Sequence, residues 1–460
     1  MPADSDRVAD LAVARHKQRQ LEAATRKDAD EANHHEIAQQ WIERHTIDGH
    51  APKFTDGAFY LPDSGGLWVR KSIEEGKVSV ARHFAGGKLC RKESDFRQIA
   101  QHIADLCEIE GFFGAADTGV ASPGGFHRVG AGGEIETVEL SLGHRQSWRL
   151  PWVPLEDTPA PLLEGVLGQA FAGDHADEQA DLFWQALGAS LFGLMPRFQT
   201  VVLLLGRERS GKSLLQRIVE RTVPETAVGA VSPASWGHEY HVAALAGKRL
   251  NIVGELSDDA PIPAAAFKNV TGQNLVAGRH PTHRPFAFRC MAAHWFASNV
   301  LPPTTDRSEA FYRRFRVLRF ANTVPADKVD PELFEKIVDQ EMPAILGKAF
   351  RGAERAARGR ALRSTPAHAA VLERWRQAAN PIEQFLADTD WVELDGQAHC
   401  SKPEAYETYR KWSQQCGFRH PFGRNHFLEL LEATGGARGI LFKRLGTKEV
   451  VVGLRLVPRA

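Results

Sequence analysis

The chain has 460 residues, of which 43% are hydrophobic, and its 57 Lys and Arg residues balance 57 Asp and Glu residues. This ordinary composition excludes a disordered, collagenous or coiled-coil protein, and the length predicts about two to four domains. The five cysteines form no CxxC pair, which argues against a zinc ribbon or a disulfide scaffold and is typical of reduced thiols in a cytosol. A neutral total excludes only an overall basic protein, because it does not show where the charges lie.

Residues 1–50 are rich in Ala, Gln, Glu and Arg, with 7 basic and 10 acidic residues. That composition favours helix, so we predict a helical N-terminal extension over 1–50. The first residues lack the apolar stretch of a signal peptide, and the longest apolar run, about Leu187–Met195, is too short to cross a bilayer. We therefore expect a cytoplasmic protein without a membrane partner.

Residues 51–150 contain short apolar or aromatic pieces, such as Ala58–Leu61, separated by Gly-Gly pairs. This pattern predicts a small mixed α/β domain with several turns. Four prolines between residues 151 and 161 indicate a linker. Over 151–365 strand and helix signals alternate, which is typical of a parallel sheet covered by helices, so the predicted fold class is α/β. The tail, 366–460, has helical patterns followed by a hairpin signal.

The most specific motif follows an apolar run that ends at Leu205 and precedes an amphipathic helical pattern. It consists of Gly206, Arg207, Glu208, Arg209, Ser210, Gly211, Lys212 and Ser213. This is the GxxxxGK[ST] phosphate loop, whose glycines let backbone N–H groups surround phosphates at a helix N-terminus. We predict that Lys212 contacts the β- and γ-phosphates and that the Ser213 hydroxyl binds Mg²⁺, so the expected cofactors are ATP and Mg²⁺.

A second strand pattern lies within Lys248–Val253 and leads through Gly254 to Glu255. A carboxylate at the end of a strand near a phosphate loop can hold Mg²⁺ and polarise the attacking water. Glu255 is therefore the predicted catalytic carboxylate and a predicted metal ligand.

Further motifs follow in order along the chain. A Lys-x-x-Thr-Gly segment begins at Lys268 and leads into the basic segment Arg279–Phe286. An apolar strand pattern then ends at Asn299, before two prolines. Finally, Arg313 and Arg314 precede another apolar strand pattern.

This order of five motifs over residues 206–320 resembles the superfamily 3 helicases, in particular the branch of poxvirus and satellite-phage primase-helicases. The resemblance implies an AAA+-like P-loop ATPase domain over 151–365. It also implies a collar-like N-terminal domain over 51–150 and a winged-helix domain over 366–460. A ring-shaped homo-oligomer, expected to be a hexamer, and a role in replicating a phage or another mobile element follow from the same resemblance.

The resemblance also assigns roles to individual residues. Glu255 would orient the attacking water, and Asn299 would be the polar sensor of the γ-phosphate. Either Arg313 or Arg314 would be the arginine finger that reaches the ATP of a neighbouring subunit. The sequence departs from many relatives at Gly254, where a second acid is common, and at Gln273-Asn274, where Gly-Asp is common.

Positive charge is concentrated in the segment that the resemblance assigns to the ring channel. Residues 279–320 contain eight arginines and two acids, a net charge of +6. Phosphate contact needs cations and reads no sequence, so single-stranded DNA is the predicted partner. The candidate DNA-binding residues are Lys268, Arg279, His283 and Arg284. The alternative is a solvated basic face.

The tail carries a second basic region, with 11 basic and 5 acidic residues over 400–460. Helical patterns over Pro403–Cys416 and Gly423–Thr434, followed by two strand patterns around a turn, predict a winged helix-turn-helix. The side chains expected to face duplex DNA are those of Arg424, Asn425, Lys443 and Arg444. Winged helices also dock proteins, and that alternative stays open.

We therefore predict an ATP hydrolase that acts as a DNA helicase, with a primase or another replication protein as a further partner. Three alternatives remain: an initiator or loader that remodels origin DNA, a DNA-binding scaffold with a nucleotide switch, and a small-molecule P-loop kinase. The winged-helix pattern and the Arg313-Arg314 pair disfavour the kinase. The segment before the linker has no convincing pair of acids for two metals, so a primase activity is not expected.

Overall fold

The computed structural model describes residues 33–457 with internal gaps. The residues not described within that range are 87–88, 172, 174, 258–259, 281–284, 305, 307, 326, 328, 379, 417–420 and 446–447. The chain divides into two compact units, and each is considered by itself. The first contains Met1–Pro302 and Arg314–Thr365, and the second contains Pro303–Arg313 and Pro366–Ala460, as far as each is described.

Helices and strands alternate along most of the first unit, so that unit is a mixed α/β structure. Its helices are α1 (His34–Arg44), α2 (Ile73–Phe84), α3 (Glu93–Cys107), α4 (Pro161–Ala170), α5 (Ala176–Leu191), α6 (Lys212–Arg221), α7 (Glu239–Ala243), α8 (Ala264–Thr271) and α10 (Leu333–Gly359). The short helix between α8 and α10, α9 (Glu309–Tyr312), belongs to the second unit. Its strands are β1 (Lys53–Thr55), β2 (Ala58–Pro62), β3 (Trp68–Lys71), β4 (Gly119–Ser122), β5 (Gly125–Val129), β6 (Ile135–Val138), β7 (Val201–Gly206), β8 (Val228–Gly229), β9 (Leu250–Val253), β10 (Leu275–Gly278), β11 (Phe286–Arg289), β12 (Ala293–Ser298) and β13 (Phe315–Phe320).

The centre of the first unit is a five-stranded sheet in the order β13-β7-β12-β9-β8. Every neighbouring pair in it is parallel, which confirms the predicted parallel sheet. All residues of β9 and β12 are buried, as expected for strands that have helices on both faces. The order places β12 between β7 and β9, so the carboxyl ends of these three strands lie side by side.

Helices α5 and α10 cross at close range beside this sheet. A Cβ added at Gly188 would lie 2.0 Å from the carbonyl oxygen of Ala349, and one at Gly352 would lie 2.1 Å from that of Trp184. Only glycine permits such a backbone approach. The pair is joined to the sheet because Trp295 Nε1 of β12 donates to Ser190 Oγ of α5 over 3.0 Å.

The N-terminal part of the first unit contains two small antiparallel sheets, β1-β2-β3 and β4-β5-β6. Asp56 and Gly57, both at positive φ, form the two-residue turn between β1 and β2. Helix α1 packs on the same core, because Trp41 lies against Phe59 and its Nε1 donates to Ser79 Oγ over 3.0 Å. The described part of the predicted extension thus shares a core with the residues after it, and residues 1–32 lie outside the described chain.

The second unit combines helices with one antiparallel sheet. Its later elements are α11 (Pro366–Ala378), α12 (Pro381–Ala387), β14 (Val392–Ser401), α13 (Lys402–Gln415), α14 (Arg424–Gly435), β15 (Leu441–Leu445) and β16 (Lys448–Leu456). The sheet order is β14-β16-β15, and both pairings are antiparallel. The two helices and the hairpin expected in the tail are present, and β14 is an additional strand. None of the helices in the described ranges has the length and apolar character that crossing a membrane requires.

Candidate nucleotide site

The predicted phosphate loop connects the carboxyl end of β7 to the N-terminus of α6. Gly206 ends the strand, and a Cβ added there would lie 2.6 Å from both Cβ and the carbonyl oxygen of Phe320 on β13, so this glycine is required by strand packing. The turn itself uses Arg209 at φ +57° and Gly211 at φ +94°. The backbone N–H of Val324 donates to the carbonyl oxygen of Arg209 over 2.8 Å and holds the loop from the segment after β13.

Lys212 is buried in the first turn of α6, with 8% of its surface exposed. Its Nζ donates to the carbonyl oxygens of Gly206 (2.5 Å) and Arg207 (2.7 Å) and to Asn299 Oδ1 (3.0 Å). Burial lowers the pKa of the Lys212 ammonium, and the carboxylates of Glu255 and Glu208 act in the opposite direction. The ammonium is thus held inside the loop at the position where phosphates would be contacted.

Asn299 links two of the other predicted catalytic residues, Lys212 and Glu255. Its Oδ1 accepts from Lys212 Nζ, and its Nδ2 donates to Glu255 Oε1 over 2.8 Å. Asn299 follows β12 and Glu255 follows β9, so the strand order brings both to the carboxyl end of β7. Lys212, Asn299 and Glu255 therefore form one row of hydrogen bonds. Along the chain, Glu255 is 43 positions and Asn299 is 87 positions after Lys212.

The N-terminus of α6 offers backbone N–H groups to an anion. Gly211 precedes the helix and supplies no side-chain cap, so the N–H groups of the first turn keep their donor capacity. Ser213 is exposed there and, with Glu255, lines one cavity. One hydroxyl and one carboxylate beside a phosphate site fit the ligand set of Mg²⁺, which keeps several waters and binds substrate phosphates.

That cavity has a volume of about 600 Å³ and extends from the phosphate loop to an apolar wall that the sequence did not reveal. The wall is formed by Val166 and Ala170 of α4, Val329, and Leu333 and Phe334 of α10. A flat aromatic ring and aliphatic side chains beside a phosphate site can accommodate a nucleobase. No local motif marks these residues, because they come from segments on either side of the loop and up to 168 positions apart.

Two further contacts hold residues beside this cavity in place, and the sequence did not predict either of them. The Arg217 guanidinium lies 3.7 Å from the ring centroid of Phe334 and covers one face of that ring. Gln216 Nε2 donates to the carbonyl oxygen of Val253 over 2.9 Å, which ties α6 to the end of β9. Both residues fall in the helical pattern after the phosphate loop, but their partners depend on the tertiary structure.

The two arginines proposed as fingers have different surroundings. Arg314 is buried, and its Nε donates to Thr271 Oγ1 over 2.9 Å while its Nη2 contacts Gln199 Oε1 at 3.3 Å. A guanidinium held in this way by its own chain is not presented to another subunit, so Arg314 has a structural role in this fold. Arg313 is exposed and remains the candidate of the pair.

Strands β10 and β11 lie on either side of the basic segment and pair antiparallel, from Leu275 with Arg289 to Gly278 with Phe286. Arg279 follows β10. Its Nη1 lies 3.8 Å from Glu239 Oε1, and its guanidinium carbon lies 6.0 Å from the Tyr240 ring centroid. Lys268 lies in the last turn of α8. The candidates His283 and Arg284 lie outside the described residues.

The polar residues predicted to face duplex DNA lie on the surface of the second unit. Arg424 and Asn425 are exposed at the start of α14, and Lys443 and Arg444 are exposed on β15. The helix carries its apolar side chains, such as the buried Phe427, towards the core. These polar residues are therefore accessible on two adjacent elements of the unit.

A family model described as a family of unknown function, DUF5906, matches residues 204–314. This segment is less than half of the chain and contains Lys212, Glu255 and Asn299. No curated protein matches the chain. Three solved structures of the NrS-1 C-terminal region, all apo, are similar, with TM-scores of 0.49, 0.47 and 0.47 and identities of 12%, 12% and 11%. The alignments cover 90%, 91% and 91% of this chain and 97%, 99% and 98% of those chains. At this level of identity, the similarity does not assign an activity to this chain.

Proposed function

We propose that the chain is an ATP hydrolase that moves on DNA as an oligomeric ring, a helicase of superfamily 3 type. The observation that carries the proposal is the row of hydrogen bonds from Lys212 through Asn299 to Glu255, at the mouth of a cavity large enough for a nucleotide. Ligands of open α/β sheets bind at the carboxyl ends of the strands, which is where this row lies. The sheet order, with the Asn299 strand between those of the phosphate loop and Glu255, supports an AAA+-like core.

The roles follow from the positions of the side chains. When ATP binds, the Lys212 ammonium exchanges the carbonyl oxygens of Gly206 and Arg207 for phosphate oxygens, next to the N–H groups of α6. Glu255 is exposed to the cavity and held by Asn299, so its carboxylate can orient a water towards the γ-phosphate. Mg²⁺, bound by Ser213 and Glu255, would neutralise the charge that develops on the phosphates.

The DNA contacts belong to the same proposal. The hairpin β10–β11 with Lys268 and Arg279 would face a single strand in the ring channel, and the second unit would act as a winged helix on duplex DNA. Arg313 would complete the nucleotide site of the neighbouring subunit. The resemblance in the sequence supports replication of a phage or another mobile element as the process served.

The test compares wild type with Lys212→Ala in ATP hydrolysis with and without single-stranded DNA, and in displacement of one strand of a forked duplex. We expect hydrolysis stimulated by single-stranded DNA and strand displacement in the wild type, and loss of both in the variant. Lys92→Ala is a matched control, because Lys92 is exposed just before α3 and does not line the cavity.

Other outcomes would identify the alternatives. Hydrolysis without displacement would indicate an initiator or loader, and nucleotide binding without hydrolysis would indicate a scaffold with a nucleotide switch. Absence of nucleotide binding by the wild type would contradict the proposal as a whole.

A further inference from the structure

A second cavity lies at the amino edge of the parallel sheet, the edge opposite the nucleotide cavity. Its lining includes Arg249, which directly precedes β9, and Met291, which lies between β11 and β12. Tyr60 of β2 and Trp148 line it from the N-terminal part of the first unit. The volume is about 110 Å³, against about 600 Å³ for the nucleotide cavity.

Positive charge dominates the lining of this cavity, which we call the basic pocket. Its five cations are Arg145, Arg197, Lys248, Arg249 and Arg289. Two carboxylates, Asp56 and Asp117, also line it. Within the part of the chain that the structure describes, no carboxylate lies within 4.0 Å of any of the five cationic groups, whereas other partly buried cations of the first unit, such as Lys77 and Lys348, have one.

The hydrogen bonds of these cations go to neutral acceptors. Lys248 Nζ donates to the carbonyl oxygen of Thr226 (2.8 Å), Arg145 Nη1 to that of Phe112 (2.8 Å), and Arg289 Nη1 to that of Gln273 (2.5 Å). A carbonyl fixes the orientation of a cationic group and leaves its charge unbalanced. Since a partly buried unbalanced charge is costly, an anion entering the pocket would be stabilised.

The residues around Arg249 leave space for its guanidinium inside the pocket. A Cβ added at Gly193 would approach Nη1 of Arg249 to 2.2 Å, so the glycine makes room for it, and the guanidinium lies 5.3 Å from the Trp148 ring centroid. Burial lowers the pKa of Arg249 to about 10. Burial also lowers the pKa of Lys248, and the neighbouring charge of Arg70 adds to that effect.

We propose that the basic pocket binds one phosphate group, at a site separate from the nucleotide site. Its size admits a phosphate group, and several cations with nitrogen donors converge on it. Arg197 and Arg289 are exposed at its rim, so a phosphate can enter from solvent. Two sources share this chemistry, the backbone of a bound DNA strand and a free phosphate ion.

The test uses the double variant Arg145→Gln/Lys248→Gln and, as a control of equal charge change, Arg44→Gln/Arg82→Gln, two arginines exposed outside the pocket. Arg197→Gln is a second variant, which changes only an exposed rim residue. Thermal melting checks that each variant is folded. The probes are radiolabelled inorganic phosphate and a fluorescent single strand of about 20 nucleotides, the latter titrated at several salt concentrations.

The measurements are made in a Lys212→Ala background, so that the phosphate loop does not contribute and failure of the proposed hydrolase activity leaves the test intact. A strand phosphate in the pocket predicts a weaker salt dependence of DNA affinity, by about 0.7 in slope for each phosphate that the variant no longer neutralises. A free phosphate predicts at least a tenfold weaker binding of the labelled ion. Either result supports the proposal; equal binding of both probes by the pocket variants and the control overturns it.

Discussion

The Lys212 ammonium has three oxygen acceptors at 2.5–3.0 Å, two of them carbonyls of its own loop. Under the proposed function, nucleotide binding would exchange neutral carbonyl acceptors for charged phosphate oxygens, and hydrogen bonds to charged groups are about twice as strong as those between neutral groups. Because Asn299 contacts both Lys212 and Glu255, this exchange would also affect the side chain that holds the Glu255 carboxylate. We expect Asn299 to couple occupation of the phosphate loop to the position of that carboxylate.

The arginine pair gives a prediction at the scale of single residues. Arg314→Ala should lower the free energy of unfolding by about 1–3 kcal/mol, because Thr271 and Gln199 lose a buried partner. Arg313→Ala should leave unfolding unchanged and reduce hydrolysis by about 10³-fold or more, with ATP binding retained. Denaturant unfolding and hydrolysis assays on both variants test this; unchanged hydrolysis in Arg313→Ala would remove the finger assignment.

Single residues also show what the sequence could and could not reveal. The phosphate loop, Glu255 and Asn299 were predicted because each belongs to a local pattern of a strand followed by a polar residue. The burial of Arg314 was not predicted, since its partner Thr271 lies 43 positions earlier in the chain. The need for glycine at position 206 arises from Phe320 on a neighbouring strand, which the motif does not contain.

Among the elements, the crossing of α5 and α10 fixes the packing of helices beside the sheet. Each helix contributes a glycine whose missing Cβ lets the other backbone approach, and α10 also contacts Leu155 through Gly347. Phe334 of the apolar wall is on α10, whereas the phosphate loop precedes α6. The shape of the cavity beside the phosphate loop therefore depends on how α10 is placed.

Gly352→Ala tests this packing. The added Cβ would lie 2.1 Å from a backbone oxygen of α5, so we expect the free energy of unfolding to fall by about 1–3 kcal/mol. Gly359→Ala is the matched control, because it lies on the same helix with no atom within 4 Å of the added Cβ, and alanine there should be neutral or stabilise by up to about 1 kcal/mol. Equal stability of the two variants, measured by denaturant unfolding, would refute the close-packing account.

Some helices and strands could be predicted from the sequence, and others could not. The strand and helix around the phosphate loop were found because their apolar patterns are regular, and the observed β7 ends at Gly206, one residue after the end of the apolar run. Strand β14 was missed because Glu393, Asp395, Gly396 and Gln397 interrupt its apolar pattern, and its pairing with β16 is what makes it a strand. The order of the parallel strands is also tertiary information that no local pattern carries.

For the molecule as a whole, the neutral net charge conceals separate charged regions. Residues 151–205 carry seven acids against one base, and residues 279–320 carry eight arginines against two acids. The cations of the basic pocket come from four separate segments of the chain, so sequence windows did not reveal them. Charge at the level of the site, and not of the chain, decides which anions are bound.

Global stability should depend on pH through buried histidines. Burial lowers the pKa of His127 to about 4 and that of His294 to about 3, so below the ordinary value of about 6.5 the unfolded chain takes up protons that the folded chain does not. Each histidine therefore removes stability as pH falls, by up to about 1.4 kcal/mol per pH unit. Asp56, whose pKa burial raises to about 6, acts in the opposite direction and offsets about one histidine.

His127→Gln should therefore reduce the loss of unfolding free energy between pH 6 and pH 5 by about 1 kcal/mol relative to wild type. Urea unfolding at the two pH values measures the difference, and exposed His426→Gln serves as the control. A variant with the same pH dependence as wild type would show that His127 is protonated in the folded chain.

The central claim is that Lys212, Asn299 and Glu255 form a site for nucleotide hydrolysis, and Glu255→Gln tests it most directly. The variant keeps the size and the hydrogen bond to Asn299 but cannot act as a base. We predict ATP binding within about threefold of wild type, measured with a fluorescent analogue, and hydrolysis reduced by about 10²–10⁴-fold. Hydrolysis at the wild-type rate by this variant would contradict the account.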